Sequence, residues 1–227
     1  MSLPLHCRVP EPELMDAAEQ VLAYANADFS SSDQALVAWW SQLVPEGLGG
    51  RVLDLGCGPG NISVLLVQRW AQLEVVGLDG ARRMLAVAEQ RRQQLPAQQR
   101  HRLSWHCSTL PAHGLEPNFT AMVSNSLLHH LHDPQVLWRT LQQLACPGSW
   151  VLIHDLRRPR DEASLEELMQ RYASGAPAVL QRDYEASLRA AFTAAEVRQQ
   201  LVDAGLTQLE VIEREDRYLA VVGQLGT

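Results

Sequence analysis

Arg51-Val52-Leu53-Asp54-Leu55-Gly56-Cys57-Gly58-Pro59-Gly60-Asn61 decides the fold. An apolar run enters a turn with glycine at every second position, and a helical pattern follows. This spacing predicts a buried strand over 51–55, a bare-backbone turn, and a helix over about 60–70. Residues 74–79 read as a second strand, Glu74-Val75-Val76-Gly77-Leu78-Asp79, closed by an acid. A glycine turn lets backbone approach a ligand closely, and an acid ending the next strand is placed to hold a ribose diol. The two together predict a nucleoside site at the carboxyl edge of a parallel sheet.

Outward from this centre the chain keeps alternating. A helix over about 82–94 stops before Pro96. A third strand spans 103–107, with Leu103, Trp105 and Cys107 pointing inward, and a fourth spans 119–125. Asp133-Pro134 opens the next helix as cap and first-turn proline, with Leu137, Leu141 and Leu144 as its buried stripe. Cys146-Pro147-Gly148 ends it before a fifth strand over 149–155. Strands alternating with helices imply a parallel sheet covered on both faces. Thr193-Ala194-Ala195-Glu196 is a capping box for a helix that closes at Gly205. Two strands, 208–213 and 218–223, then sit too close together to be anything but antiparallel.

Asp54-Leu55-Gly56-Cys57-Gly58-Pro59-Gly60 resembles the first motif of the class I S-adenosylmethionine-dependent methyltransferases, an acid followed by alternating glycines. The dinucleotide fingerprint differs, because Asn61 stands where its third glycine would be. The resemblance spans about residues 36–223. It implies a doubly wound, Rossmann-like, mostly parallel α/β sheet in the order 3-2-1-4-5-7-6, ending in the antiparallel hairpin. It implies S-adenosyl-L-methionine as cofactor, S-adenosyl-L-homocysteine as product, and a small-molecule acceptor of the kind met in quinone-biosynthesis-like relatives. Motifs for methylating exocyclic amines are absent after strand four, which leaves oxygen, carbon or aliphatic nitrogen as the methylated atom.

The resemblance also implies roles. Asp79 accepts from the ribose hydroxyls; Gly56, Cys57, Gly58, Gly60 and Asn61 form the turn; Asp54 orients the turn and the ammonium end of the donor. Gly80 and Met84 border the adenosine. The acid often found after strand three is missing, so Ser108 and Thr109 are the adenine candidates. Asn125 faces the ammonium group. Ser124-Asn125-Ser126-Leu127-Leu128-His129-His130 looks like the fourth motif of small-molecule members, making His130 and then His129 the candidates for base or acceptor contact. His132 and His154 lie nearby in sequence, but no helical His-x-x-x-His is present and no metal is expected. Tyr24, Arg157, Arg158, Tyr172 and Tyr184 are the acceptor candidates; an arginine pair suits an acidic group.

One methyltransferase domain over 1–227 is expected. Cap helices fill 1–48, one over 11–25 and one capped by Ser30, Ser31 and Ser32. A core spans 49–156, a helical insertion after strand five spans 157–192, and a helix and hairpin fill 193–227. The insertion breaks at Gly175-Ala176-Pro177 and is placed to close over a substrate.

The 227 residues are 46% hydrophobic, enough for one core. The cysteines at 7, 57, 107 and 146 are scattered, which excludes a zinc ribbon or disulfide framework and suggests a reduced compartment. Cys57 reads as a small filler. Acids outnumber bases 26 to 19, for a net charge of −7, and every base is Arg. That balance disfavours a nucleic-acid partner, although Arg82, Arg83, Arg91 and Arg92 on one helix leave RNA methylation as an alternative. A non-catalytic cofactor-binding module is another. No leader pattern and no membrane-length apolar run is present, so a cytoplasmic enzyme is expected. Oligomeric state is not legible in the sequence.

Overall fold

The computed structural model describes residues 5, 7–112 and 114–226, so the outer ends of the ranges 1–48 and 193–227 lie outside it. In chain order the elements begin with α1 (Ala18–Asn26), α2 (Ser30–Leu43), β1 (Gly50–Leu55), α3 (Asn61–Arg69), β2 (Leu73–Asp79) and α4 (Arg82–Gln93). They continue through α5 (Ala97–Arg100), β3 (Leu103–Cys107), β4 (Phe119–Asn125), a 3-10 turn (Leu128–His130), α6 (Gln135–Leu144) and β5 (Ala145–Leu156). The remainder is α7 (Glu162–Tyr172), α8 (Ala178–Ala190), α9 (Ala194–Asp203), β6 (Glu210–Arg214) and β7 (Tyr218–Leu225).

The seven strands form one sheet in the order β3-β2-β1-β4-β5-β7-β6. Pairing is parallel from β3 through β5, and β7 runs antiparallel to both β5 and β6. Side chains alternate along each strand, so the sheet buries two separate layers. Val52, Val75, Val123 and Leu152 pack on Trp40 of α2 and Leu66 of α3. Leu53, Met122, Ile153 and Val221 pack on Trp138 of α6 and Leu201 of α9. With both faces closed, the carboxyl edge, where Leu55, Asp79, Asn125 and Leu156 end their strands, is the place for a ligand.

Several expectations are corrected. Residues 11–17 are not helical; α1 starts at Ala18. Pro12 disfavours helical backbone at Glu11, and this segment is spent on tertiary contacts instead. Glu13 Oε1 accepts from the His132 amide at 2.7 Å, and Glu11 Oε1 from Ser187 Oγ at 3.0 Å. The serines do not cap α2: Asp28 Oδ1 accepts from the Ser30 amide at 2.9 Å and so does that work. Cys107 is exposed at the end of the edge strand rather than turned inward. β5 begins at Ala145, because the Cys-Pro-Gly stretch enters the sheet through an irregular register opposite Phe119 and Ala121. The insertion forms the two helices α7 and α8 with Leu165, Leu168 and Leu188 buried against Leu156. Among the described residues no helix is long and apolar enough to cross a membrane.

Candidate active site

The carboxyl ends of β1, β2 and β4 open into a cavity of ≈ 750 Å³. At its floor the glycine turn is held by the acid that closes β2. Asp79 Oδ2 accepts from the Gly58 amide at 2.8 Å and Oδ1 from the Ala81 amide at 2.7 Å. Each carboxylate oxygen keeps further acceptor capacity after these bonds. Burial raises the Asp79 pKa, and the two amides oppose that rise. Gly58 has φ +51° and open space where a Cβ would stand, so its backbone is bare toward the cavity. Gly60 has φ +80°, and a Cβ there would lie 2.7 Å from the Trp105 ring. It shapes the turn from behind and does not line the cavity.

Asp54, in β1 just before the glycine turn, is 1% exposed and accepts from Ser63 Oγ at 2.5 Å. Burial, only partly offset by that bond, pushes its carboxyl up to about 7. Asn61 donates to Asp33 at 2.9 Å. Arg91 bonds Asn61 and donates to the Pro59 and Ala25 carbonyls, each at 3.1 Å. Three of the four arginines of α4 have partners within the chain, since Arg83, itself exposed, pairs with Asp16 and Arg92 with Glu89. Burial pushes the Cys57 thiol well up, which suits an inert filler. Gly56, Gly80, Met84, Ser108, Thr109 and Asn125 all line the cavity. Met84 is also packed with Val21 and Ala81, so it serves the core as well.

Beyond Asn125 the 3-10 turn presents two histidines. His129 Nδ1 lies 2.5 Å from Asp155 Oδ1, and Asp155 Oδ2 accepts from the Leu128 amide at 2.6 Å. Burial alone would depress His129; the Asp155 charge and hydrogen bond, with Glu11, outweigh it and raise His129 above its ordinary value. Burial would likewise raise Asp155, but His129 holds it below the usual carboxylate range. His129 Nε2 and His130 Nδ1 both approach Glu11 Oε1, at 3.5 and 3.3 Å. Burial first, then the charge on His129, lowers His130 to about 3, so it is neutral at physiological pH. Glu11, His129 and His130 bring three metal-capable atoms within 4.8 Å of one another. The Asp155–His129 bond also orients this group for moving a proton. Arg8 locks the turn from outside, donating to the His129 and Leu131 carbonyls at 2.6 and 2.9 Å.

Tyr24, Tyr172 and Tyr184 line the cavity as the sequence suggested. Burial pushes the Tyr24 hydroxyl up to about 12. Arg157 and Arg158 do not line it. Arg157 is captured by Glu213, and Arg158, 6% exposed, donates to the Ala191 carbonyl at 3.1 Å and Glu196 at 2.7 Å. Acids on neighbouring elements, remote in sequence, turn both guanidiniums away. In their place Arg214 and Arg217 reach the cavity from the β6–β7 hairpin. Sequence reasoning also missed Glu11 and Asp155. Asp155 carried a signal, since it ends strand five much as Asp79 ends strand two; Glu11 carried none.

A doubly wound sheet with a reversed terminal strand, an acid-held glycine turn and one cavity at its carboxyl edge defines a nucleoside-cofactor domain. A family model described as "Methyltransferase domain" matches residues 20–211, and the chain belongs to the class I S-adenosylmethionine-dependent methyltransferase family. The trans-aconitate 2-methyltransferase of Azoarcus sp. (strain BH72) is 36% identical over 121 residues, 53% of this chain and 44% of that protein. The ubiquinone biosynthesis O-methyltransferase of Leptothrix cholodnii is 32% identical over 124 residues, 53% of this chain and 50% of that protein. The chain thus spans about half the length of these curated relatives. A putative S-adenosyl-L-methionine-dependent methyltransferase from Methanococcus maripaludis superposes with a TM-score of 0.71 at 14% identity, covering 96% of this chain and 98% of that one. The plantazolicin methyltransferase BpumL, in complex with a triazolic desmethylPZN analog and SAH, gives 0.69 at 12% identity over 92% and 91%. At such identities these structures share the fold.

The family's cofactor, S-adenosyl-L-methionine, fits the residues present. Asp79 retains acceptor capacity toward a ribose, Gly58 leaves space against the turn, and the carboxyls of Asp33 and Asp79 at the donor end suit a cationic ligand.

Proposed function

We propose that this chain transfers a methyl group from S-adenosyl-L-methionine to a small-molecule acceptor by in-line displacement. The observation that carries this reading is the continuity of one cavity from Asp79 and the glycine turn to His129 and His130. The bound cofactor supplies a methyl group on a sulfonium, whose leaving thioether departs neutral. The protein's tasks are to hold the donor, align the acceptor and exclude water. Asp79 takes the ribose, and the turn at Gly56 and Gly58 seats the methionine portion. Asp54 and Asn125 face the ammonium group, while Ser108 and Thr109 border the adenine.

Where the acceptor atom carries a proton, His129 receives it. Asp155 holds the His129 Nδ1–H, leaving Nε2, which stands 3.5 Å from Glu11 Oε1, to take the proton, and stabilises the imidazolium that forms. His130 is a neutral contact for the acceptor. We place His129 ahead of His130 because Asp155 bonds its Nδ1 at 2.5 Å and helps raise it, whereas His130, although 3.3 Å from Glu11, is held low by burial and by His129. The relatives named for trans-aconitate and for ubiquinone biosynthesis support a metabolite acceptor over RNA.

Calorimetry with S-adenosylmethionine, S-adenosylhomocysteine and NAD tests the cofactor. Tight binding of the first two is expected, and preference for NAD overturns the reading. Asp79→Ala should weaken S-adenosylhomocysteine binding by about ten- to a hundredfold, the scale of a lost hydrogen bond to a charged group. Unchanged affinity removes the ribose assignment. Cofactor binding without turnover over a metabolite panel and total RNA would favour a binding module.

A further inference from the structure

The cavity is polarised in a way that the methyl donor does not use. Its donor end carries Asp33, Asp54 and Asp79, whereas its far wall carries Arg214 and Arg217. Arg214 ends β6 and Tyr218 begins β7 directly opposite it, so both project from the same face of the hairpin. Leu156 of β5 pairs with Tyr218, which sets this face beside the carboxyl edge of the parallel strands.

Both guanidiniums are partly buried; Arg214 has one long ion pair, and Arg217 has none among the described residues. Arg214 stacks on Trp39 at 3.6 Å, and its nearest carboxylate, the exposed Glu215, is 3.9 Å away. Arg217 lies over the Tyr172 ring at 3.5 Å and the Tyr218 ring at 4.7 Å, and donates to Tyr184 Oη at 3.3 Å. Among the described residues it makes no ion pair within 4.0 Å. The adjacent Asp216 is held by Arg171 and the Tyr172 hydroxyl instead. Arg214 Nη1 and Arg217 Nε are buried donors with no hydrogen-bond partner. Removing a guanidinium from water without a close counter-charge is costly, so Arg217, unpaired, beside Arg214, whose only acid is exposed and 3.9 Å away, marks a site for an anion on this wall. In a chain of net charge −7, a general excess of cations does not explain them.

His154 stands between the two ends. Its Nδ1 is 2.9 Å from Asn125 Oδ1, and its ring lies 4.3 Å from that of Tyr218. Burial chiefly, with the two arginines, lowers it to about 4, so a neutral ring separates the basic wall from the donor end.

Resting on the methyl-transfer reading above, we propose that Arg214 and Arg217 bind an oxyanion, a carboxylate or phosphate, on the methyl acceptor. They thereby orient the acceptor with its reacting atom toward His129. Arg217 is the principal contact, set by its tyrosine cage; Arg214 is the second. Planar guanidiniums give paired hydrogen bonds to such groups.

The test uses the full chain loaded with S-adenosylhomocysteine and titrated at constant ionic strength with citrate and, separately, inorganic phosphate; chloride is the control. Saturable binding of at least one probe is expected. Arg217→Gln should weaken it about ten- to a hundredfold and Arg214→Gln by a smaller factor. Affinity for S-adenosylhomocysteine should stay within about twofold in both variants, which shows that each still folds. Arg217→Lys should retain part of the anion affinity. Preference for citrate assigns a carboxylate, and preference for phosphate assigns a phosphate monoester. No binding of either probe by the loaded wild type, or equal binding by Arg217→Gln, overturns the proposal while leaving the cofactor reading intact. Loss of S-adenosylhomocysteine binding by the wild type would instead sink that underlying reading.

Discussion

Asp54 and His129 are both buried and both hold a proton above their ordinary pH, Asp54 because burial raises it and His129 because Asp155 and Glu11 outweigh burial. The Asp54 carboxyl stands at about 7, far above its ordinary 3.8. Between those values the folded chain keeps a proton that the unfolded chain has lost. The contribution of Asp54 to stability therefore falls as pH rises through this window and stays low above it. Asp54→Asn, which keeps an oxygen for the Ser63 hydroxyl, should stabilise the cofactor-free protein near pH 8, by at most a few kcal/mol at about 1.4 kcal/mol per pKa unit. Near pH 4 the advantage should vanish, and at both values cofactor binding should weaken. Thermal melts at the two pH values check this; a variant less stable at pH 8 contradicts it. His129 is raised by Asp155 and Glu11. If it accepts the acceptor's proton, kcat/KM climbs with pH along a limb lying above the ordinary histidine value. Asp155→Asn removes the charge that raises it, so that limb should move to lower pH while the maximum drops. His130→Gln should leave the limb where it was, because His130 is neutral across the range. A limb that ignores Asp155 would move the base elsewhere.

At the scale of elements, α9 shows how one residue can serve two neighbours. Glu196 completes the capping box with Thr193 and also receives the buried Arg158 at 2.7 Å. Thr193→Ala should cost about 1 kcal/mol, the usual value of a cap. Glu196→Ala should cost about 3 kcal/mol or more, because it strands a buried guanidinium. Urea melts giving equal losses would show that Arg158 finds another partner. The same pair explains what the sequence conceals. The capping box, the glycine turn and the alternation of β1 to β5 are local patterns, legible because their partners lie within a few residues. Arg157 and Arg158 looked like cavity residues because they follow β5. Their partners, Glu213 and Glu196, come from elements whose approach depends on β7 inserting between β5 and β6. Arg214 and Arg217 stand out by no local pattern for the same reason. Residues 11–17 have helical spacing at Leu14 and Ala18, but spacing does not register the acids at 11 and 13 that bond Ser187 and His132. Local rules yield to tertiary contacts where the site is assembled.

The whole molecule closes its cavity with chain from both ends of the sequence. Leu14 lies against Gly80, where a Cβ would meet it at 2.7 Å, and Glu13, Leu14 and Met15 line the same cavity as the hairpin arginines. Segment 11–17 is held over the site largely by polar contacts, with Leu14 itself 47% exposed, whereas the sheet beneath is buried on both faces. Segments with few buried apolar contacts open at lower free energy than core strands. A ligand lying between this segment and the glycine turn should restrain both. At a hundred times its dissociation constant, S-adenosylhomocysteine adds about 2.7 kcal/mol to states that need the site intact. Hydrogen exchange should therefore slow at residues 11–17 and 56–60 on adding S-adenosylhomocysteine. Leu14→Ala should reduce the effect at 11–17 while keeping it at 56–60, since the turn is held by Asp79 and Arg91 rather than by this segment. Protection confined to the turn, with 11–17 exchanging equally in both states, would show that the segment packs beside the cofactor site without covering it.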